Sequence, residues 1–259
     1  MQPDILAPFK SFPGKTGFYY YNLKTCETLH FQPDLPLVAA SVIKLPIMVE
    51  AFRQSEAGLL NLMDMVTIPR SACMPSCGVL SYLHENVALP WIDLITLMII
   101  VSDNTATNLL IDRLGINNVN QTMNSLGLTH SRLNRKLFQP ELSRQGIQNY
   151  VTAGDMGRLL QLIYEGKAVS PAASQKMIEI LSCQQLNGKI PFHLHSRGIC
   201  VAHKTGEDSG TTHDVGIIFG PEPFILCFLS NDVEVTDFER LIQDTSLALL
   251  IETERNGLK

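Results

Sequence analysis

The chain has 259 residues, of which 45% are hydrophobic and 17% are charged, so it can bury the core of one large domain or of two interleaved lobes. Twenty basic and twenty-five acidic residues give a net charge of −5, and the longest basic run is the pair Arg135-Lys136, so we expect no nucleic-acid partner. The longest apolar run, residues 94–101, is far shorter than the roughly 20 residues that cross a bilayer, so we expect no membrane span.

The beginning of the chain predicts a β-hairpin. Residues 1–8 contain neither a basic nor an apolar leader segment, so we expect a cytoplasmic protein if Met1 is the natural start, and an exported one if a leader has been removed. Residues 16–23 and 27–31 are aromatic and β-branched runs around Lys24-Thr25-Cys26, which is typical of two short paired strands. The fold is therefore expected to open in a sheet.

The middle of the chain predicts helices, and its end predicts further strands. From residue 40 to about residue 166, apolar residues recur three and four positions apart, as on one face of a helix. After residue 197, Gly-, Pro- and Asp-rich turns separate three candidate strands at 198–203, 215–219 and 224–230. A last helix is predicted to begin at Thr236-Asp-Phe-Glu239, where a hydroxyl and a carboxylate can cap free backbone N–H groups.

This order of elements predicts an α+β fold in a single domain, residues 1–259. Strands from both chain ends form an antiparallel sheet flanked by helices, in a lobe made of residues 1–39 and 185–259. An all-helical lobe, residues 40–184, is inserted between them. Because sites tend to form in the crevice between two lobes, we expect the functional residues to lie there.

The first candidate motif is Ser41-Val-Ile-Lys44, which lies where the strand pattern gives way to helical spacing. Residues three apart share one face of a helix, so a hydroxyl faces an amine. Serine is a weak nucleophile unless a neighbour accepts its proton, and a desolvated lysine can lose its charge. Ser41 is then a nucleophile with Lys44 as its base or as part of a proton relay. The alternative is that Ser41 caps the helix and Lys44 is solvated.

The second motif is Ser102-Asp103-Asn104, directly after the apolar stretch of residues 91–101. At the end of a buried helix, the hydroxyl of Ser102 can pass a proton to a leaving nitrogen, and the amide of Asn104 can bind a substrate carbonyl. The alternative is a helix-capping turn, because Ser, Asp and Asn all favour that position.

The third motif is Lys204-Thr205-Gly206, at the end of the candidate strand 198–203. The ammonium and the hydroxyl can hold a substrate carboxylate, and the glycine keeps the backbone open to close approach. The alternative is an ordinary turn that carries polar residues without a role in binding. The same letters occur at Lys15-Thr16-Gly17, but a phosphate loop needs a glycine where Phe9 stands, and a helix where a strand follows. That second occurrence is therefore rejected as a site.

The three motifs, in this order, resemble those of the class A β-lactamases and of the wider penicillin-recognising serine hydrolases. The resemblance covers nearly the whole chain, from the opening hairpin to the last helix. It implies that Ser41 is the acylated nucleophile and that Lys44 is its activating neighbour. It also implies that Ser102 carries a proton to the nitrogen of the β-lactam.

The resemblance implies a set of substrate-binding residues as well. Asn104 binds the amide of the acyl side chain, and the Lys204-Thr205-Gly206 motif binds the carboxylate. The oxyanion hole is formed by the backbone N–H groups of Ser41 and Glu207, the first of them helped by the positive end of a helix dipole. No cofactor is implied.

One departure from the family concerns the general base, a glutamate that usually stands in the segment Glu-Pro-Glu-Leu-Asn after the second motif. Here the segment reads Gln139-Pro-Glu141-Leu-Ser143, so the first glutamate is replaced by an amide, which cannot act as a base. Either Glu141 takes over this role, because a longer loop shifts the register by two residues, or Glu141 is a structural residue paired with Arg135 or Arg144.

A second departure concerns the substrate carboxylate. Residues 207–214 predict an acidic, extended loop between strands, without the arginine that many relatives place on the next strand. Arg240, early in the last helix, is a candidate replacement for that cation. His213 and Asp214 are candidate polar contacts.

No metal site is expected. His193 and His195 alternate on one predicted strand face, but no carboxylate or cysteine completes a ligand set, and His203 is interpreted as part of the strand. The six cysteines contain no spacing typical of a zinc module, so we expect buried or free thiols in preference to a metal site, with disulfides as the open alternative.

These observations leave three hypotheses that share acylation of Ser41. In the first, the protein is a β-lactamase that opens the cyclic amide, and water activated by Glu141 or by the lysine relay releases the product. In the second, favoured by Gln139, deacylation is slow and the protein is a penicillin-binding peptidase or an esterase-like relative. In the third, a lasting adduct is itself a signal, and the protein is a non-catalytic sensor. We expect a monomer that takes a small β-lactam or a peptidoglycan-like substrate.

Overall fold

The chain places its long strands at the two ends and most of its helices between them, in a computed structural model that describes residues 5–257. The strands are β1 (Lys15–Asn22), β2 (Thr28–Phe31), β3 (Leu37–Val38), β4 (Met65–Thr67), β5 (Ala88–Pro90), β6 (Tyr150–Val151), β7 (Cys200–Asp208), β8 (Thr211–Phe219) and β9 (Phe224–Asn231). The helices are α1 (Ala7–Ser11), α2 (Lys44–Glu56), α3 (Trp91–Ile100), α4 (Asn104–Leu114), α5 (Ile116–Ser125), α6 (Pro140–Arg144), α7 (Ala153–Tyr164), α8 (Pro171–Ser182) and α9 (Val235–Gly257).

The main sheet has five antiparallel strands in the order β2-β1-β9-β8-β7. Two of these strands come from the beginning of the chain and three from its end. They join where β1 pairs with β9 along its whole length, from Lys15 opposite Asn231 to Asn22 opposite Phe224. This arrangement confirms the predicted α+β fold, in which an antiparallel sheet is made from both chain ends and helices are inserted between them.

One face of the sheet is covered by α1 and α9 over a cluster of aromatic rings. The ring centroid of Phe18 lies 4.6 Å from that of Phe9 and 5.2 Å from that of Phe228. Phe238, on α9, packs edge-on against Phe9 with the centroids 6.5 Å apart. These four side chains are almost completely buried, and the burial of large apolar surface is the main source of stability in such a core.

The other face is covered by helices that surround α2, which is buried along most of its length. The charged Glu50 of α2 is buried too, and its carboxylate lies 2.6 Å from Nε of Arg53 and 2.6 Å from the hydroxyl of Thr122. Burial raises the pKa of Glu50, but the hydrogen bonds outweigh burial and lower it below its ordinary value. These bonds fix the helix whose first turn carries Lys44.

The tip of the sheet differs from the prediction. Residues 207–214, expected as an extended loop, belong to the β7–β8 hairpin, which is paired from Cys200 opposite Phe219 to Asp208 opposite Thr211. The polar side chains of β8 in this segment are buried and find hydrogen-bond partners inside the protein. Those partners are distant in the sequence. The polar composition of this segment is therefore typical of a loop when the sequence is read alone.

Two smaller differences concern the middle and the end of the chain. The middle contains a short strand pair, β4 with β5, and also β6, which pairs with β3 just before the middle begins. α9 begins at Val235, so Thr236 lies inside the first turn and does not cap it. Glu239 accepts a hydrogen bond from Thr212 Oγ1 at 2.9 Å instead.

Within the described residues, no helix combines the length and the hydropathy needed to cross a bilayer.

We expect Gly157→Ala to destabilise the protein. Gly157 on α7 faces the ring of Tyr19 on β1, and an added Cβ would collide with the Cδ1 and Cε1 atoms of that ring. The expected loss is about 1–3 kcal/mol in the free energy of unfolding, the usual cost of overpacking, measured by urea unfolding. Gly188→Ala is the control, because no atom lies within 4 Å of its Cβ position. Equal stability of the two variants would contradict the close packing of α7 on the sheet.

Candidate active site

Ser41 lies at the entrance to α2. It belongs to a 3-10 turn, Ala40–Ile43, that runs directly into the helix at Lys44. Ala40 has a φ of 42°, in the left-handed region that is uncommon for residues other than glycine. Such backbone persists where the surrounding structure fixes it, often beside a functional side chain. Here it directly precedes Ser41, whose partly buried side chain lies at the wall of a cleft.

The side chain of Lys44 is fully buried and joins the first two motifs. Its Nζ lies 2.9 Å from Ser41 Oγ and 2.9 Å from Ser102 Oγ. It also lies 2.7 Å from the carbonyl oxygen of Ser102 and 2.9 Å from Asn104 Oδ1. Burial, reinforced by the charge of Lys204, lowers the pKa of Lys44 well below its ordinary value. A neutral amine in this position can accept a proton from the hydroxyl of Ser41.

The Ser102-Asp103-Asn104 motif turns the chain between α3 and α4. Its serine has a φ of 56°, which turns both the carbonyl and the hydroxyl towards Lys44. Its aspartate caps α4, because Oδ1 accepts from the N–H of Ala106 at 3.0 Å. The other aspartate oxygen accepts from the backbone N–H groups of residues 79–80. One residue of the motif therefore caps the helix, while the other two contact the amine of Lys44.

Lys204 brings the third motif to the same serine hydroxyl. Its buried Nζ lies 3.2 Å from Ser102 Oγ and 2.8 Å from the carbonyl oxygen of Thr205. Burial lowers the pKa of Lys204 to about 7; the charge of Asp214 raises it, and that of Lys189 lowers it. The amine is therefore a cation below a pH of about 7 and neutral above it.

The third motif lies inside β7, which continues to Asp208, and not at a strand end as predicted. Gly206 lets the Ser41 turn pack directly on this strand, because a Cβ there would lie 3.2 Å from a methyl of Val42 and 3.3 Å from the Cβ of Ala40. Close approach thus favours glycine at this position. As a result, Ser41 and Glu207 line the same cleft.

This cleft has a volume of about 780 Å³ and lies between β7 and the loop around α6. A volume of this size suits a small-molecule substrate. Its lining residues are Val38, Ala40, Ser41, Met74, Pro75, Ser76, Cys77, Asn104, Arg135, Leu137, Phe138, Gln139, Pro140, Ser143, Gln148, Asn149, Glu207 and Asp208.

The structure brings Gln139 to the cleft and turns Glu141 away from it. Gln139 lines the cleft, and its Oε1 accepts from the backbone N–H of Lys136 at 3.0 Å. The side chain of Glu141 is 69% exposed, and its Oε1 lies 3.9 Å from Nη2 of Arg144. This is the structural alternative that the sequence left open, and it argues against Glu141 as the general base.

The candidate replacements for the missing arginine do not reach the substrate side of the cleft. Arg240 is 70% exposed and pairs with Asp237 on its own helix. His213 is buried with Nε2 2.8 Å from the carbonyl oxygen of Val38, and burial lowers its pKa to about 4. Asp214 is also buried, with Oδ1 2.8 Å from Nδ1 of His203. Neither of these side chains lines the cleft.

Lys189, a buried lysine behind the end of β7, was not predicted from the sequence. Its Nζ lies 3.0 Å from Glu207 Oε1 and 3.7 Å from Glu239 Oε1. It also lies 3.5 Å from the carbonyl oxygen of Gly206 and 3.3 Å from that of His213. No motif surrounds Lys189 in the sequence, so nothing there marks this contact.

The histidines and cysteines occupy separate places. His193 and His195 do not alternate on a strand, because the segment before β7 forms turns. In the part of the chain that the structure describes, no group of three or more His, Cys, Asp or Glu side chains is arranged to hold a metal ion. The six cysteines are free thiols.

Comparisons with known proteins find a matching family and similar structures. The β-lactamase enzyme family matches residues 2–252 of the chain. Among curated proteins, no match is found. A structure of a β-lactamase from Sphaerobacter thermophilus DSM 20745 is 31% identical, with a TM-score of 0.89, and the match covers 96% of this chain and 95% of that one.

Two further structures are similar over nearly their whole length. The structure of PBP-A is 28% identical, with a TM-score of 0.88, and the match covers 98% of this chain and 96% of that one. An ancestral class A β-lactamase is 21% identical, with a TM-score of 0.87 and coverage of 97% and 99%, and it shows likeness of the fold alone. Because the family match spans almost all of the sequence, the chain belongs to the β-lactamase enzyme family.

Proposed function

We propose that the protein is a serine hydrolase that is acylated at Ser41 by β-lactams and related amides or esters, and that it releases the β-lactam acyl group slowly. The observation that carries the proposal is the buried amine of Lys44, which contacts the hydroxyls of both Ser41 and Ser102. The cleft beside them suits a small β-lactam or a peptidoglycan-like substrate in size.

In the acylation step, Ser41 Oγ attacks the carbonyl carbon, and its proton passes to the neutral amine of Lys44, 2.9 Å away. The oxyanion that develops is stabilised by the backbone N–H groups of Ser41 and Glu207. Ser102 Oγ lies between the amines of Lys44 and Lys204, so it can deliver a proton to the leaving nitrogen. The carbon–nitrogen bond then breaks and leaves an acyl ester on Ser41.

The same proposal assigns substrate binding to the other motif residues. Asn104 Oδ1 faces Lys44, so the amide nitrogen of Asn104 is the group that can donate to an acyl carbonyl. Lys204 and Thr205 are proposed to hold a substrate carboxylate, with Gly206 keeping the strand open to it. Of these residues, Lys204 acts only while it is charged.

Slow deacylation is proposed because the family's general base has no clear equivalent in the cleft. Gln139 stands at that position, and an amide cannot take a proton from water. Glu141 points to solvent beside Arg144. The acyl ester on Ser41 therefore lacks a carboxylate partner for hydrolysis on the α6 side of the cleft.

A fast β-lactamase is the second candidate. The 31% identical relative is described as a β-lactamase. The lowered pKa of Lys44 also favours the neutral amine, which can accept a proton from water after acylation as it accepts one from Ser41 before. In that case deacylation needs neither Gln139 nor Glu141.

With excess benzylpenicillin, we expect a covalent adduct on Ser41 that persists after the free drug is removed. Intact-mass spectrometry over time, with drug loss followed in the same samples, measures both steps. Ser41→Ala is the control and should give no adduct. Steady Ser41-dependent loss of the drug without a lasting adduct would favour the fast β-lactamase, and no Ser41-dependent reaction at all would refute the proposal.

Gln139→Glu should shorten the lifetime of that adduct by about tenfold or more, because it supplies a general base beside the cleft. The lifetime is read from the decay of the acylated mass after the excess drug is removed. Glu141→Gln is the matched control and should leave the lifetime unchanged. A much longer lifetime in Glu141→Gln would instead assign the base to Glu141.

Acylation by benzylpenicillin should fall as the pH rises through about 7, because the lowered pKa of Lys204 removes its positive charge in that range. The second-order rate constant is measured by intact mass between pH values of about 6 and 8, with the neutral methyl ester of benzylpenicillin as the control. The ester should show a smaller fall. Parallel profiles for the two compounds would contradict a role of the Lys204 charge in carboxylate binding.

A further inference from the structure

Phe138 is a large apolar side chain that lies half exposed at the cleft. Its exposed fraction is 46%, and it lines the cleft together with the neighbouring Leu137. Its φ of 57° lies in the left-handed region, where a bulky residue is an outlier that persists only when the surrounding structure fixes it. Gln139 Oε1 accepts from the backbone N–H of Lys136 at 3.0 Å and so closes the turn that contains Phe138. The turn therefore presents an aromatic ring to the cleft.

Two asparagine side chains fix the segment that leads into this turn. Asn108 Oδ1 accepts from the backbone N–H of Leu137 at 2.9 Å, and its Nδ2 donates to the carbonyl oxygen of Leu137 at 3.1 Å. Asn149 makes the same pair of bonds with Arg135, each at 3.0 Å. Both asparagines are buried. Because each amide satisfies the donor and the acceptor of one backbone residue, the wall that carries Phe138 is held in place before a substrate binds.

A second loop of the cleft is fixed to the same helix as the first. The backbone N–H of Met74 donates to Thr105 Oγ1 at 2.8 Å, and the carbonyl oxygen of Pro75 accepts from Asn104 Nδ2 at 3.3 Å. Asn104 and Asn108, which hold the two loops, are four residues apart and share one face of α4. A substrate group bound at Asn104 therefore lies beside both loops. The apolar side chains of these loops that line the cleft are Met74, Pro75, Leu137, Phe138 and Pro140.

The polar side chains of the first loop are bonded within that loop. Arg135 donates from Nε, Nη1 and Nη2 to three oxygen atoms within residues 136–148. Gln148 in turn donates to the hydroxyl of Ser143. Because these donors are used inside the loop, Phe138 is left as a contact for an apolar ligand. The positive charge of Arg135 stays at this wall, so a carboxylate on the side chain of the substrate is the competing occupant.

We propose that Phe138 determines the specificity of acylation, so that the protein prefers acyl donors whose side chain carries a bulky apolar group, above all an aromatic ring. The proposal rests on the proposed function, in which Asn104 binds the carbonyl of that side chain. The amide nitrogen of Asn104 carries two hydrogens, of which one is used by Pro75 and the other is left for this carbonyl. The group attached to the carbonyl then lies beside the two loops and covers the ring of Phe138. The substrate carboxylate stays at Lys204 and Thr205.

The test compares benzylpenicillin with its acetyl analogue, in which acetyl replaces the phenylacetyl side chain. Both compounds keep the side-chain carbonyl and the carboxylate, so they differ only by the aromatic ring. The second-order rate constant for acylation of Ser41 is measured by intact mass, and is divided by the rate constant of alkaline hydrolysis of the same compound. The wild-type protein should favour benzylpenicillin by about tenfold or more, as partial burial of an aromatic ring allows. In Phe138→Ala this ratio should fall by about fivefold or more.

Three further variants separate the aromatic contact from other effects. Phe138→Leu keeps an apolar side chain and should retain most of the preference. Phe138→Asn suits the left-handed backbone but is polar, so it should lose the preference as Phe138→Ala does. Phe192→Ala removes a ring that is 54% exposed and does not line the cleft, and should leave the ratio unchanged. Circular dichroism and thermal unfolding verify that each variant is folded.

A wild-type ratio near one would overturn the proposal, as would an unchanged ratio in Phe138→Ala with Ser41 adducts still forming. An equal fall in Phe192→Ala would also overturn it, because the effect would not belong to the cleft. Carbenicillin, whose side chain adds a carboxylate to that of benzylpenicillin, should react more slowly, because apolar walls desolvate its charge. A faster reaction would overturn the apolar assignment in favour of the charge of Arg135.

Failure of both compounds to acylate wild-type Ser41 is a different result, since it refutes the proposed function itself and the inference falls with it.

Discussion

The contact of the buried Lys44 amine with two serine hydroxyls is the interaction on which the site depends. Its neighbours come from two separate parts of the chain: Ser41 from the turn before α2, and Ser102 and Asn104 from the junction of α3 and α4. A charged amine without a contacting carboxylate is costly in a buried position, so the pocket favours the neutral form. The packing that holds these elements together therefore also lowers the pKa of Lys44.

A second amine, that of Lys204, contacts the same hydroxyl of Ser102. Lys204 reaches Ser102 from β7, and its positive charge helps to lower the pKa of Lys44. The hydroxyl of Ser102 lies within hydrogen-bond distance of both amines and so connects them. This arrangement needs both the sheet and the helices to be in place, because Lys44, Ser102 and Lys204 lie on or beside different elements.

The sequence predicted the parts of this structure that depend on local pattern. Alternating and helical spacing predicted the sheet from both chain ends, and the three motifs named Ser41, Ser102 and Lys204, which the structure brings together. The sequence did not predict the β7–β8 hairpin through residues 207–214, because the partners of its buried polar side chains are distant in the chain. For the same reason Lys189 was missed. The direction of Glu141 depends on the orientation of a single helical turn, which spacing alone does not determine.

The placement of these residues explains why acylation and deacylation can vary separately in one fold. Ser41, Ser102 and Lys204 stand on or beside α2, α4 and β7, all of which are packed into the core, so a change there disturbs the fold as well as the chemistry. Gln139 stands at the start of α6, in a surface loop where no residue of the helix is buried. On the proposed function, a substitution at Gln139 therefore changes the activation of water at little cost in stability. The step that distinguishes a hydrolase from a lasting acyl-enzyme is, on that proposal, located where the fold constrains the sequence least.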